Sequence, residues 1–434
     1  MGRLGVVIIG LNGAVASTLV AGVALMKKGV VPRRAMLTEP DDAISAEKLT
    51  DLLQFASLED LVFGGWDLND DNLYTAALKH GVFRADELAT VKTELEAIKP
   101  WPAVFSREYA KNLSGRHVVG TDGGHRGQIE AIKKDLTTFK EKAGLRRIVL
   151  VNLASTEKWM DRTATHETLE GFEKGIDSND PGVSPTMRYM YAANSLGVPH
   201  ANFAPSLANV PALRIQAENH GVPYCGMDGK TGQTLVKTAM ASMLRLRRLM
   251  VDGWYSVNFL GNNDGLVLDD PASNETKVRS KASVLDSVVG HKVENHQVHI
   301  HYYKPRGDAK EAWDNIDISG FCGQPMQMKI NFLCKDSILA APLCIDMVRI
   351  LDVAQENGDK GIQRQMSVYF KSPYAVDGEQ PQHDPFVQER ILFAWARETA
   401  AKQKNAQARP SNGGGTTASG GSASLGATQQ RKDD

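Results

Sequence analysis

The chain has 434 residues, 42% of them apolar, enough for roughly two to three domains with a large buried core. It carries 50 Lys and Arg against 51 Asp and Glu, a net charge of −1. That balance excludes a nucleic-acid or membrane-surface partner, which needs a basic excess or stripe, but leaves room for a small anionic substrate met by a local cluster of cations.

Leu4–Ile9 reads as a buried strand, and Gly13–Lys28 as the helix after it, with Val15, Leu19, Val23 and Met26 on one face. The uncharged stretch Gly5–Met26 superficially resembles a signal sequence or a membrane span. Asn12-Gly13 at its centre, and the switch from branched apolar to small residues, mark strand, turn and helix instead. Arg34–Leu37 is expected as a second strand and Asp51–Leu61 as a helix. The amphipathic Gln128–Ala143 precedes another buried strand at Arg147–Leu153. Strands alternating with helices imply a parallel α/β sheet.

After about Gly232 the texture changes. Thr234–Met250 looks helical and ends in the basic stretch Arg245–Arg248. Trp254–Leu260, Gln297–Tyr303 and Met326–Phe332 suggest the sheet of a second domain, and Ser337–Glu356 a long packed helix. From Ala401 the chain is polar, then rich in Gly, Ser and Thr from Ser411 to Ala427, and is expected to be a disordered tail.

Several short motifs could carry chemistry. The turn Gly10-Leu11-Asn12-Gly13-Ala14-Val15-Ala16 lets backbone approach a pyrophosphate, whose charge would meet free amide groups at a helix start. Its fit to G-x-G-x-x-G is imperfect, with Asn12 at the second glycine. Glu39 is a candidate ribose partner, with a solvated surface acid as the alternative. Asp228-Gly229-Lys230-Thr231-Gly232-Gln233-Thr234 precedes a helix and is either an anion site or an ordinary capped helix start. Gly261-Asn262-Asn263-Asp264-Gly265 follows a strand, where a plain turn is the usual reading. Lys277 and Lys281, spaced i, i+4, share a face if their segment is helical; an anionic substrate would offset their repulsion. Lys371 follows the apolar run Val368-Tyr369-Phe370, which hints at a desolvated ammonium.

Cys225, Cys322, Cys334 and Cys344 are widely spaced without a C-x-x-C pair. That spacing argues against a disulfide framework and for thiols in a reducing cytoplasm. His296, His299 and His301 alternate along a strand-like segment without Cys or acidic ligands at compelling spacing, and read as surface or interface histidines rather than a metal site.

Together these motifs resemble the inositol-3-phosphate synthase family, also called myo-inositol-1-phosphate synthase, from about Leu4 to Trp395. The residues that carry the resemblance are G-L-N-G-A-V-A-S-T-L-V at 10–20, G-G-W-D-L-N at 64–69, A-S-T-E at 154–157 and D-G-K-T-G-Q-T at 228–234. L-G-N-N-D-G at 260–265, S-K-A-S-V-L-D at 280–286, G-D-A-K at 307–310, C-K-D-S-I-L-A-A-P at 334–342 and F-K-S-P at 370–373 complete the set. L-G-N-N-D-G followed by lysines at the family's distance is the specific part. Thr231 stands where Ser is frequent in the family, Ala309 replaces Ser, and Lys335 stands where Glu is frequent.

The resemblance implies a Rossmann-like NAD-binding domain over residues 1–233. An α+β catalytic and tetramerisation domain at 234–340 is then inserted before the chain returns to the first domain at 341–400, with the tail at 401–434. It implies NAD contacts at Gly10, Asn12, Gly13, Ala14, Val15, Asp67, Ala154 and Ser155, and at Asp228, Asn263, Asp264, Asp308, Asp336 and Ser337. Lys277, Lys281, Lys310 and Lys371 carry over as catalytic lysines, with Asn262, Asp228, Asp264 and Asp336 around them; Lys230, Thr231, Gly232, Gln233 and Thr234 would hold the substrate phosphate. The implied reaction is a redox-neutral cyclisation of D-glucose 6-phosphate to 1D-myo-inositol 3-phosphate by a cytoplasmic homotetramer. A need for a divalent or monovalent cation stays open. The rival readings are a net sugar-phosphate dehydrogenase and a non-catalytic NAD-binding regulator, and the four-lysine set speaks against both.

Overall fold

A run of branched apolar residues without polar alternation makes a strand covered on both faces. In the computed structural model, which describes residues 2–40, 43, 46–262, 265, 267 and 284–408, L-G-V-V-I-I forms the wholly buried strand β1 (Leu4–Ile9), and α1 (Ala14–Lys27) follows it. The chain then builds β2 (Leu61–Asp67), β3 (Trp101–Pro102), α2 (Gly124–Lys142), β4 (Arg147–Asn152), α3 (Pro185–Ser195), β5 (His200–Asn202) and β6 (Pro223–Gly226). With β11 (Gly361–Ile362) these strands form a seven-stranded sheet in the order β3-β2-β1-β4-β5-β6-β11, every pairing parallel. This is a Rossmann-type sheet, with its strand-order reversal between β1 and β4.

Side chains of β1 alternate between two cores, as period 2 requires. Val6 and Ile8 pack with Leu19, Val23, Val348 and Leu351, whereas Val7 and Ile9 pack with Ile129, Ile132, Met187 and Met190. One face is therefore covered by α1 and α5 (Asp336–Glu356), the other by α2 and α3.

Between β6 and α5 the chain leaves this sheet. It forms α4 (Gln233–Leu246), β7 (Met250–Leu260), β8 (Asn295–Tyr302), β9 (Ala309–Ser319) and β10 (Pro325–Lys335). Their order is β10-β9-β7-β8, with β7 and β8 parallel and the other pairs antiparallel. One face packs on α4: Ala241 and Leu244 meet Trp254, Ile316 and Ile318. The return through α5 and β11 ends in α6 (Pro385–Ala408).

Three expectations need correction. Arg34–Leu37 is not a strand: the N–H groups of Leu37 and Thr38 donate to the Asp346 carboxylate at 2.9 and 3.0 Å rather than to a sheet. Asp51–Leu61 is not one helix but a single turn at Leu49–Leu52 and a 3₁₀ turn at Leu58–Asp60. Helix α6 runs through Ala408, past the expected end of order at 400, because Ala396, Thr399 and Ala400 are buried and the following Ala, Lys and Gln are good helix formers. The helix proposed to carry Lys277 and Lys281 lies outside the described residues, as do Asn263 and Asp264. Among the described residues no helix is long and apolar enough to cross a membrane.

Candidate active site

Strand register assembles the nucleotide end. Ile9 is level with Trp66 on β2 and Asn152 on β4, so Asp67, the last residue of β2, meets Gly10 and Ala154, just beyond β1 and β4, at one edge of the sheet. Gly10 has φ +85°, and a Cβ there would lie 3.1 Å from Leu153 O and 3.2 Å from Ala154 Cα; only glycine lets the turn cross β4 this closely. Gly13 caps α1 without a side-chain hydrogen bond, so the first amide groups of the helix are directed at the cleft. Asp67 Oδ2 accepts from Asn12 N at 2.9 Å, and Asn12 Nδ2 donates to Asn69 O and Asp71 O at 3.0 and 2.8 Å. Burial raises the Asp67 pKa, and the Asn12 and Asn69 amides oppose that shift. A glycine cradle, a bare helix N-terminus and a carboxylate ending β2 fit NAD.

The cleft continues, with a cavity volume of about 560 Å³, to the second sheet. Gly10, Asn12, Gly13, Ala14, Val15, Asp67, Ala154 and Ser155 line its nucleotide end. Asp228, Thr231, Asn262, Lys310, Asp336, Ser337 and Lys371 line the other. Lys371 Nζ lies 2.8 Å from Asp228 Oδ1, both side chains buried. Residues 227–230 and 369–372 hold them together by an antiparallel bridge, with Lys371 N donating to Asp228 O at 2.7 Å and Lys230 N to Tyr369 O at 2.8 Å. Gly229 makes this possible, since a Cβ there would fall 1.9 Å from the Phe203 ring.

A second ion pair faces the same space. Lys310 Nζ is 3.4 Å from Asp336 Oδ1, which also accepts from Thr231 Oγ1 at 2.9 Å. Asp308 does not line the cleft but supports it, accepting from Ser337 Oγ at 2.8 Å and Asn262 Nδ2 at 3.3 Å. Burial raises the Asp308 pKa, and the hydrogen bonds from Ser337 and Asn262 oppose the shift.

Other candidates point elsewhere. Lys230 Nζ donates to Gln388 Oε1 at 2.6 Å, away from the cleft, and burial lowers its pKa to about 8. Gln233 Nε2 donates to Asp314 at 3.1 Å inside the second sheet. Gly232 and Thr234 are buried at the start of α4 without lining the cavity. Glu39 is no ribose partner: its Oε1 sits 2.6 Å from Arg349, and the acid that ends the strand beside β1 is Asp67. His296 Nε2 accepts from Lys237 Nζ at 2.9 Å, and His299 stacks on His301. Among the described residues no group of three or more His, Cys, Asp or Glu could hold a metal ion.

Sequence reading missed His80, whose Nε2 contacts Asn12 O at 2.8 Å, and the buried Glu157, which accepts from Thr186 N at 2.9 Å. Both line the cleft. Burial raises the Glu157 pKa, opposed by its bonds to Thr186 and Ser184 at the start of α3. The signal for Glu157 was its place in A-S-T-E; His80 had none.

Residues 4–397 match the family model described as myo-inositol-1-phosphate synthase. The chain belongs to the myo-inositol-1-phosphate synthase family. Inositol-3-phosphate synthase 1 of Bacteroides thetaiotaomicron is 42% identical over 404 residues, 90% of this chain and 94% of that protein. Inositol-3-phosphate synthase of Saccharomyces cerevisiae is 30% identical over 387 residues, 80% of this chain and 72% of that one. The crystal structure of inositol-3-phosphate synthase from Caenorhabditis elegans superposes with a TM-score of 0.85 at 26% identity, covering 92% of this chain and 86% of the other. Thr231 Oγ1 donates to Asp336 Oδ1 at 2.9 Å, and Lys335 Nζ donates to Val82 O at 2.5 Å, tying β10 to the first sheet's side of the molecule.

Proposed function

We propose that this chain catalyses the NAD-dependent, redox-neutral cyclisation of D-glucose 6-phosphate to 1D-myo-inositol 3-phosphate. The observation that carries the reading is the opening of two lysine–carboxylate pairs, Lys371–Asp228 and Lys310–Asp336, into the cleft that begins at the glycine turn. Bound at that turn, NAD supplies a transient hydride acceptor for C5 of the sugar. The remaining work is proton transfer and charge stabilisation by this chain's own groups.

Lys371, oriented by Asp228, exchanges the proton of the C5 hydroxyl, in a role shared with Lys277. Lys310, oriented by Asp336, meets the oxyanions that develop as the C5 ketone enolises and C6 attacks the C1 aldehyde, together with Lys281. Asp264 and Asn262 position this group, and Asn263, Asp308 and Ser337 lie around cofactor and substrate. The phosphate is met at the start of α4, where Thr231 lines the cleft and Gly232 caps the helix without a side-chain bond, while Gln233 and Thr234, turned away or buried, only build that helix start. Lys230 belongs to the same loop, but its ammonium faces α6.

A homotetramer is supported by the second sheet's open face, where Tyr255 and Trp313 are 41% and 39% exposed beside the stacked Phe259, His299 and His301. The four free cysteines favour a cytoplasmic location. Deuterium placed at C5 of glucose 6-phosphate tests the reaction. A returned hydride keeps the label on the product, and a label lost to the cofactor pool overturns the proposal.

A further inference from the structure

Behind the Lys371–Asp228 pair lies a polar cluster that this chemistry does not use. Lys230, three per cent exposed, and the fully buried Gln388 near the start of α6 form its centre. Gln388 Nε2 donates to Gln382 O at 2.5 Å, and Gln382 Oε1 accepts from Asp384 N at 2.9 Å. The Asp384 carboxylate accepts from Phe386 N at 3.0 Å and is ion-paired with Arg245 on α4. His383, also buried, hydrogen-bonds the backbone of Lys371. The turn at 382–388 thus touches, from behind, the loop that carries Asp228, the residue Lys371 itself, and α4.

Lys230 is an expensive choice for a mere tie. A buried ammonium loses its hydration, and its hydrogen-bond partner here is a neutral amide. We propose that Lys230 is a positioning residue for the Lys371–Asp228 pair: charged, it clamps the 228–230 strand to α6 through Gln388, while His383 on the same turn fixes the Lys371 backbone. A charge-assisted hydrogen bond is roughly twice as strong as a neutral one, so the clamp is tight only while Lys230 holds its proton. The titratable and charged groups facing Lys230 are Asp384 and His383 from the turn, with Arg245 beyond Asp384, and the Lys371–Asp228 pair across the bridge. Burial lowers Lys230 to about 8, partly offset by Asp384. His383 is lowered to about 4, first by burial and then by Lys230, so its ring is neutral wherever Lys230 titrates. Below pH 8 the clamp is charged, and as pH rises through 8 it slackens.

The inference rests on the reading of Lys371 as the group that serves C5. Its test uses the full chain, measuring kcat, KM for glucose 6-phosphate and NAD affinity from pH 6.5 to 9.5 for the wild type, K230M and Q388E. Misplacing a reacting group by about 1 Å costs up to about a hundredfold, so K230M is expected to lower kcat by about tenfold or more, with NAD affinity and KM within about twofold. Q388E places a carboxylate against Lys230 and is expected to move the alkaline limb of kcat upward by about one pH unit. A purely structural tie would not move that limb. K230M with kcat within about twofold of wild type, or Q388E with an unmoved limb, overturns the inference. Should K230M not fold, the limb in Q388E decides alone. A wild-type protein inert towards glucose 6-phosphate would instead count against the reaction itself.

Discussion

Lys371 and Asp228 meet at 2.8 Å with side chains only 6% and 3% exposed, although 143 residues separate them in the chain. The chain has left the Rossmann-type sheet and come back before the pair can form. The same excursion delivers Lys310 and Asp336, so the cofactor end and the lysine end of the cleft depend on both sheets folding together.

Lys371→Ala is expected to cut turnover about a hundredfold or more, the usual scale for losing a general acid/base. Lys371→Arg should fail as well, because guanidinium does not release a proton at neutral pH. Steady-state kinetics with calorimetric NAD titration checks this: NAD affinity should survive in both. An arginine variant with near-normal turnover would reduce Lys371 to an electrostatic contact.

Asp67 should select NAD over its 2′-phosphorylated form. Its carboxylate lines the nucleotide end of the cleft and holds the turn through Asn12. Two like charges at close range near a protein surface repel by a few kcal/mol. Asp67→Asn is therefore expected to narrow the ratio of NAD to NADP affinities by about tenfold or more. An unchanged ratio would place the ribose elsewhere.

Lys237 sets a pH-dependent stability. It is a residue of α4, five per cent exposed on the helix face packed against the second sheet, donates to Ser256 Oγ and His296 Nε2 at 2.9 Å each, and is lowered to about 8 by burial, against an opposing pull from Asp314. The folded pKa lies below the unfolded one, so the cost of the buried ammonium is full below pH 8 and fades as pH rises through the unfolded value. Between pH 7 and 10 the wild type should therefore gain about 2 kcal/mol relative to Lys237→Met. Urea unfolding of both at the two pH values tests it. A constant difference would mean that Lys237 is not desolvated.

What sequence alone revealed follows from how local each signal is. The strand at Leu4–Ile9, the glycine turn and the helix after it depend on neighbours within a few residues, and all three stand in the structure. Lys310 and Lys371 were named by the family resemblance of G-D-A-K and F-K-S-P, not by any local pattern, and both line the cleft. The misread parts are governed by distant partners. Arg34–Leu37 is bent away from the sheet by Asp346, about three hundred residues on, and Glu39 is claimed by Arg349. Lys230 is turned from the cleft by Gln388, 158 residues away. A lysine in a glycine-rich loop gives no local sign of which way its ammonium will point.

A redox-neutral cyclisation requires oxidation and reduction to occur within one turnover. With glucose 6-phosphate in large excess over NAD, inositol phosphate should accumulate to many equivalents of the cofactor while absorbance at 340 nm stays flat. NADH rising in step with product, and stopping when NAD is exhausted, would contradict the account and make the chain a sugar-phosphate dehydrogenase.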